Sequence, residues 1–457
     1  MFVATNPTTG EAMEGFPAMD AAQIDSAIEL SQQAFKQWRT TSFDERADLL
    51  NQVADLMASD EERLARLMTV EMGKPIKEAR GEVQKAAWCA RHYAEHAADY
   101  LAPQTLQSDA SHSYVQHLPL GPLLGILPWN APFWLAFRFG APALMAGNTC
   151  LMKHDSHVPA CAEAIAELFE KVGAPRGLFQ NMRVHNDQVA RIIEHPAVQA
   201  VSLTGSSFAG SQVASLAAKH IKPAVLELGG SDPSLVLADA DVDKAAEVLA
   251  LSRIINAGQS CIAAKRLIVE APVYDRFVDK LTEHLAALKM GDPAEETTQV
   301  GPIARDDLRQ GLHRQVTETI RQGARCLLGG EMPSGPGFFY PVTLLADVTP
   351  GMQASCEETF GPIAVVMKAD SAEQALAMAN DTEYGLAASI WTADTAKAEA
   401  MSREIEAGQV SINGIVKTDP RLPSGGIKRS GYGRELGPHG IREFVNVQQV
   451  WVGPVQS

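Results

Sequence analysis

Between residues 18 and 100 the apolar positions recur at helical spacing. Ile24, Ile28, Phe35 and Trp38 form one stripe; Leu49, Leu50, Val53, Leu56, Met57, Leu64 and Leu67 form a second. Gly73-Lys74-Pro75 interrupts the pattern, and a longer, more polar helix runs on toward Tyr100. From residue 111 the period changes. Ser113–Leu118 alternates as a strand does, and Leu123-Leu124-Gly125-Ile126-Leu127 is an unbroken apolar run that reads as a buried strand. Strands then alternate with helices. A strand at 149–153 precedes a helix bearing Ile165, Leu168, Phe169 and Val172, stopped by Gly173. A short strand near Leu178, a helix near 189–193 and a strand at 199–203 follow, and Thr204-Gly205-Ser206-Ser207 opens another helix. The alternation returns with a helix at 242–255, a strand at 266–270 and a helix at 273–288. This order predicts an α/β protein with two doubly wound parallel sheets, whose ligands sit beyond the carboxyl ends of the strands. Phe444–Val452 reads as an apolar terminal strand suited to pairing with another segment or subunit.

Composition narrows the function. With 457 residues, 46% apolar and 21% charged, the chain suits two to three globular domains rather than disorder or coiled coil. Its 39 Lys and Arg against 55 Asp and Glu give a formal charge of −16, which repels nucleic acid and anionic membrane surfaces. The six cysteines contain no C-x-x-C pair and no zinc-ligand spacing, so no metal is expected and a reducing compartment is the simpler reading. The N-terminus lacks a signal-peptide pattern, and no run of 18 apolar residues occurs. A cytoplasmic protein is expected.

Four places hold candidate chemistry. Cys261, after Gly258-Gln259-Ser260, is a potential thiolate nucleophile, although a lone cysteine is more often inert. Glu227, in Leu226-Glu227-Leu228-Gly229-Gly230, is a potential general base whose burial would raise its pKa; a capping or ion-paired glutamate is the plainer alternative. Asn130, in Pro128-Trp129-Asn130-Ala131-Pro132-Phe133-Trp134, follows a buried strand, where an amide can donate to an oxyanion or simply close a turn. Gly205–Gly210 lies between strand and helix, where glycine lets backbone approach a phosphate, but its spacing is not G-x-G-x-x-G.

Taken together these residues resemble the aldehyde dehydrogenase superfamily. The matches run in order along nearly the whole chain: PWN at 128–130, GNTCLMK at 147–153, TGS at 204–206, LELGG at 226–230, GQSC at 258–261, EETFGP at 357–362 and KRSGYGRE at 428–435. The resemblance implies a Rossmann-like dinucleotide-binding domain (1–100 and 120–229), a catalytic domain (230–443) and a small β oligomerisation element (101–119 and 444–457). It implies that Cys261 attacks an aldehyde, that Asn130 and the Cys261 backbone N–H hold the oxyanion, and that Glu227 activates the water that hydrolyses the thioester. The presence of Glu227 favours a free acid as product over transfer to coenzyme A.

For the cofactor, the resemblance assigns Trp129, Lys153, Gly205, Ser206, Glu358 and Phe360. Ser156 stands where many NAD-preferring relatives carry a glutamate that would repel a 2′-phosphate, so NADP is expected to be preferred, with NAD possible. Asp155 opposes this, and His154, in place of the usual proline, reads as structural. Arg138 matches an arginine that succinate-semialdehyde dehydrogenases set against the substrate carboxylate. Trp134 and Thr418 complete the expected substrate contacts. A second family arginine is missing, with Ile255 in its place and Arg253 two residues earlier. Ser424 replaces a phenylalanine of the pocket wall. The implied reaction is oxidation of succinic semialdehyde, the alternatives being a related ω-semialdehyde or a broad range of aliphatic and aromatic aldehydes. A non-catalytic scaffold would have no need of Cys261, Glu227 and Asn130 together. A homodimer or homotetramer is expected.

Overall fold

The computed structural model describes residues 1–453; the last four residues of the 444–457 segment lie outside them. The helical pattern before residue 100 resolves into four helices, Ala21–Trp38, Phe43–Ser59, Glu61–Met72 and Ile76–Tyr100. Two of the breaks are set by local chemistry. Asp20 with Gln23, and Ser42 with Glu45, form reciprocal capping boxes that start the first two helices. Gly73, at φ +77°, ends the third. A hairpin of Phe2–Thr5 with Ala12–Phe16 precedes them, which the hydrophobic pattern did not reveal.

Two mixed sheets carry the chain. The six-stranded sheet runs Gly431–Tyr432, Ala224–Glu227, Ala200–Thr204, Pro122–Leu127, Thr149–His154, Phe179–Asn181. All its pairs are parallel except the outermost, Gly431–Tyr432 on Ala224–Glu227. From Pro122–Leu127 the chain builds outward through 149–154 and 179–181, then crosses back to add 200–204 on the other side. Strand order therefore reverses beside Pro122–Leu127, which opens a crevice at the carboxyl edge. The seven-stranded sheet runs Arg325–Leu328, Thr343–Ala346, Ile363–Ala369, Arg266–Glu270, Pro233–Val236, Ala387–Trp391, Gln409–Ile412. Each sheet is buried among helices over its own apolar core.

Two long-range pairings tie these units together. Val445–Val452 pairs antiparallel with His112–Pro119 over its full length, joining the tail to the segment after the fourth helix. Gly431–Tyr432 leaves the sequence run of the second sheet and adds to the edge of the first. The 230–443 stretch is thus not confined to the seven-stranded sheet, and this excursion carries Glu435 toward Glu227. No helix among the described residues is long and apolar enough to cross a membrane.

Candidate active site

Four strand ends of the first sheet converge on one edge. Pro122–Leu127 leads into Trp129 and Asn130, Thr149–His154 carries Lys153 one residue before its end, Ala200–Thr204 leads into Gly205, and Ala224–Glu227 ends at Glu227. Gly205 N–H donates to the Glu227 carbonyl at 3.0 Å, locking two of these ends together.

Cys261 arrives from the second sheet. It follows the helix Val242–Ile254 and a turn in which Asn256 and Ala257 hold φ of +56° and +53°. Non-glycine residues seldom adopt this region, so the turn must be held by its surroundings. The holding groups are visible. Glu78 accepts from Asn256 N–H at 2.7 Å, and the Asn256 amide donates to the Asn130 carbonyl at 2.9 Å and the Gln259 carbonyl at 3.1 Å. The Asn130 side chain donates to the same Gln259 carbonyl at 3.1 Å, which places this amide against the Cys261 loop. Lys74, paired with Glu82, donates to the Asn130 carbonyl at 2.9 Å. Gly258 abuts the Gly361 carbonyl with no room for a Cβ.

Two buried cations fasten this loop to the 357–360 segment. Lys265 donates to the carbonyls of Ser260 and Cys261 and pairs with Glu358 at 3.3 Å. Arg253, fully buried, donates to the carbonyls of Gly258 at 2.7 Å and Thr359 at 3.3 Å. Neither was singled out as a site residue. A lysine just before a strand and an arginine near the end of a helix read as solvent-facing charges, and only packing shows otherwise. Burial pushes the Cys261 thiol up to about 11, with Arg138 and then Lys265 opposing.

Glu227 is 4% exposed and Arg138 3%. The Arg138 guanidinium lies 3.3 Å from Glu227 Oε2 and also pairs with Glu435. Glu227 Oε1 has no hydrogen-bond partner among the described residues, and Gly425, at φ +153°, leaves space beside it that a Cβ would close to 2.7 Å. Burial raises the Glu227 carboxyl to about 7, with Arg138 pulling the other way. Arg138, expected at the substrate carboxylate, here faces carboxylates of the protein itself. Its charge is committed to two carboxylates, because the excursion through Gly431–Tyr432 delivers Glu435 to its other side.

The remaining expected residues fall into two groups. Ser206 caps the helix Ser207–Lys219 by accepting from Ala209 N–H at 3.2 Å, and the Thr204 hydroxyl nearby is buried without a partner among the described residues. Above Gly205 a Cβ would meet only Leu203, at 3.7 Å, so the backbone there is open to a ligand. Lys153 is buried and donates to Asn186 at 2.9 Å. Trp129 and Phe360 stand edge-to-face with centroids 5.9 Å apart, and Glu358 accepts from Gly230 N–H at 3.1 Å. A helix N-terminus, a buried lysine and an aromatic pair along one crevice fit a dinucleotide. Half-buried Ser156 follows Asp155, whose carboxylate accepts from His157 at 2.6 Å and is thereby engaged locally. His154 is buried and held at about 4 by desolvation, a neutral ring bonded to the Pro132 carbonyl at 3.0 Å. In the other group, Trp134 stands in the first turn of the helix Pro132–Met145 with its backbone N–H given to Glu82 at 3.2 Å, and buried Thr418 accepts from Lys85 at 2.7 Å.

Comparison with known proteins agrees with this architecture. The model of the aldehyde dehydrogenase family matches residues 1–450. A probable succinate-semialdehyde dehydrogenase (NADP+) of Synechocystis sp. is 47% identical over 453 residues, covering 99% of this chain and 100% of that one. An aldehyde dehydrogenase of Paenarthrobacter nicotinovorans is 44% identical over 456 residues, covering 99% of this chain and 100% of that one. The crystal structure of succinic semialdehyde dehydrogenase from Streptococcus pyogenes, in complex with NADP+ as the cofactor, matches with a TM-score of 0.97 at 35% identity, covering 99% of this chain and 100% of that chain.

Proposed function

The chain belongs to the aldehyde dehydrogenase family, and on that premise we propose that it oxidises succinic semialdehyde to succinate with NADP+ through a thioester on Cys261. The observation that carries the chemistry is Glu227, a buried carboxyl that burial raises to about 7 and whose Oε1 has no partner among the described residues, on the same sheet edge from which the Asn130 amide reaches the Cys261 loop at the Gln259 carbonyl, 3.1 Å away. The substrate and cofactor reading is supported by the names of relatives 44–47% identical to this chain.

The Cys261 thiolate adds to the aldehyde carbon, and the oxygen becomes an oxyanion. The Asn130 amide, turning from the Gln259 carbonyl, and the Cys261 N–H donate to that oxygen. NADP+, when bound, supplies the oxidant that takes the hydride from the former aldehyde carbon. Gly205 and Ser206 would hold its pyrophosphate, Lys153 and Ser156 its adenosine end, and Glu358, Phe360 and Trp129 its nicotinamide end. Glu227 then takes a proton from water as the oxygen attacks the thioester carbon, the C–S bond breaks, and Cys261 leaves as thiolate. Arg138 keeps Glu227 ionisable by placing a cation beside an otherwise desolvated carboxyl. Trp134 and Thr418 line the substrate's approach.

The Val445–Val452 strand exposes Val447, Trp451 and Val452, an apolar edge suited to a homodimer or homotetramer. All six cysteines are free thiols, in keeping with a cytoplasmic location.

The test follows absorbance at 340 nm with succinic semialdehyde, glutaric semialdehyde, butanal and benzaldehyde, each with NADP and with NAD, against a Cys261→Ala blank. The expected result is a clear preference for succinic semialdehyde with NADP. Equal or faster turnover of butanal or benzaldehyde would overturn the substrate reading and leave an aldehyde dehydrogenase of broad range.

A further inference from the structure

With Arg138 held between Glu227 and Glu435, an acidic aldehyde needs another cation for its carboxylate. One stands a helical turn further out. Lys85, on the helix Ile76–Tyr100, places its ammonium 4.1 Å from the centroid of the Trp134 ring and donates to Thr418 Oγ1 at 2.7 Å. Trp134 lies four residues from Arg138 on the helix Pro132–Met145, so the two side chains share a face about 6 Å apart along the axis. The line from Glu227 through Arg138 and Trp134 therefore ends at Lys85 and Thr418.

Lys85 differs from Arg138 in being uncommitted. The acidic groups nearest it are engaged elsewhere: Glu82 by Lys74 and by the N–H groups of Phe133 and Trp134, and Asp419 by Arg421 at 2.7 Å. Among the described residues Lys85 makes no ion pair, and its recorded partners are a hydroxyl and an indole face. Half-burial lowers its pKa to about 8, and the charge of Arg138 adds to the effect. A ligand carboxylate would relieve both. The frame around it is stiff, because Glu82, three residues earlier on the same helix, fixes the start of the Trp134 helix through two backbone N–H groups, at 2.9 and 3.2 Å.

We propose that Lys85, with Thr418, is the anchor for the ω-carboxylate of the aldehyde substrate, and that Trp134 packs against the methylene chain between carboxylate and aldehyde. Lys85 is thus the specificity-determining cation, and Arg138 is a positioning residue for Glu227. This assignment rests on the proposed oxidation of a semialdehyde.

The experiment compares wild-type enzyme, Lys85→Met and Lys85→Arg, each with NADP, on succinic semialdehyde and on butanal, which has the same chain length without the carboxylate. The expected result for Lys85→Met is a fall in kcat/KM for succinic semialdehyde of about 30-fold or more, carried by KM, with butanal turnover nearly unchanged. Lys85→Arg should restore part of the loss. Succinate should compete with butanal in the wild type and lose that inhibition in Lys85→Met. Equal losses on both aldehydes would make Lys85 structural, and an unchanged KM for succinic semialdehyde would leave the carboxylate without this anchor; either overturns the proposal. A wild-type enzyme that prefers butanal would overturn the semialdehyde reading itself, an outcome visible before any variant is made.

Discussion

Replacing Arg138 by methionine tests the electrostatics of the base directly. Arg138 lies 3.3 Å from Glu227 Oε2 in a site where both groups are almost fully buried. At an effective dielectric of about 20, unit charges at that distance attract by about 5 kcal/mol. That is equivalent to between about three and four pKa units on the carboxyl. Water entering the vacated space would recover part of this, so a rise of about two units is expected. Glu227 would then face the negative charge of Glu435 without a cation between them, which raises its pKa further. Glu227 must be ionised to take a proton from water. Its rate-supporting form, half-populated near the present value of about 7, would in the variant require pH near about 9. The assay is the pH profile of kcat with butanal, which carries no carboxylate and so does not report on substrate anchoring, together with the pre-steady-state burst of NADPH. At pH 7 steady turnover should fall by about 50-fold. It should recover as the pH rises, while the burst persists because it precedes hydrolysis. Arg138→Lys should keep most of the original profile. A folded Arg138→Met enzyme with an unmoved pH limb would refute the reasoning.

Other outcomes follow from the same geometry. Glu227→Gln should leave the NADPH burst but lower steady turnover by about 10²–10⁴-fold, and mass spectrometry should find an acyl group on Cys261. Ser156→Glu places a carboxylate where a 2′-phosphate is expected and should lower kcat/KM for NADP by at least about tenfold with little change for NAD, the ratio being read with one aldehyde. Arg253→Met leaves the buried carbonyls of Gly258, Thr359 and Ala264 without their donor, so urea unfolding should show a loss of at least about 2 kcal/mol, and turnover should fall as the Cys261 loop loses its tie to Thr359.

Some of this protein can be read directly along the chain. The alternation of strand and helix periods reports which residues face a core, and that alone predicts parallel sheets with their ligand edge at the strand ends. Cys261, Glu227 and Asn130 stand out because each follows a buried element inside a turn-rich motif, a local feature that spacing preserves. What spacing does not carry is which charge meets which. Arg138 looks like a free cation in an aldehyde channel until Gly431–Tyr432 pairs with Ala224–Glu227 and brings Glu435 against it. Lys85 looks like one more polar position on a long amphipathic helix until that helix packs against Pro132–Met145 and sets the ammonium over Trp134. Lys265 and Arg253 look like surface charges until the Cys261 loop and the 357–360 segment fold around them. The energy of a charge depends on the distance to its partner and on how much water remains between them, and both are set by contacts between residues far apart in the chain. The residue types that perform the chemistry are therefore written in the sequence, while their protonation, their partners and the cation left free for a substrate are decided by the tertiary fold.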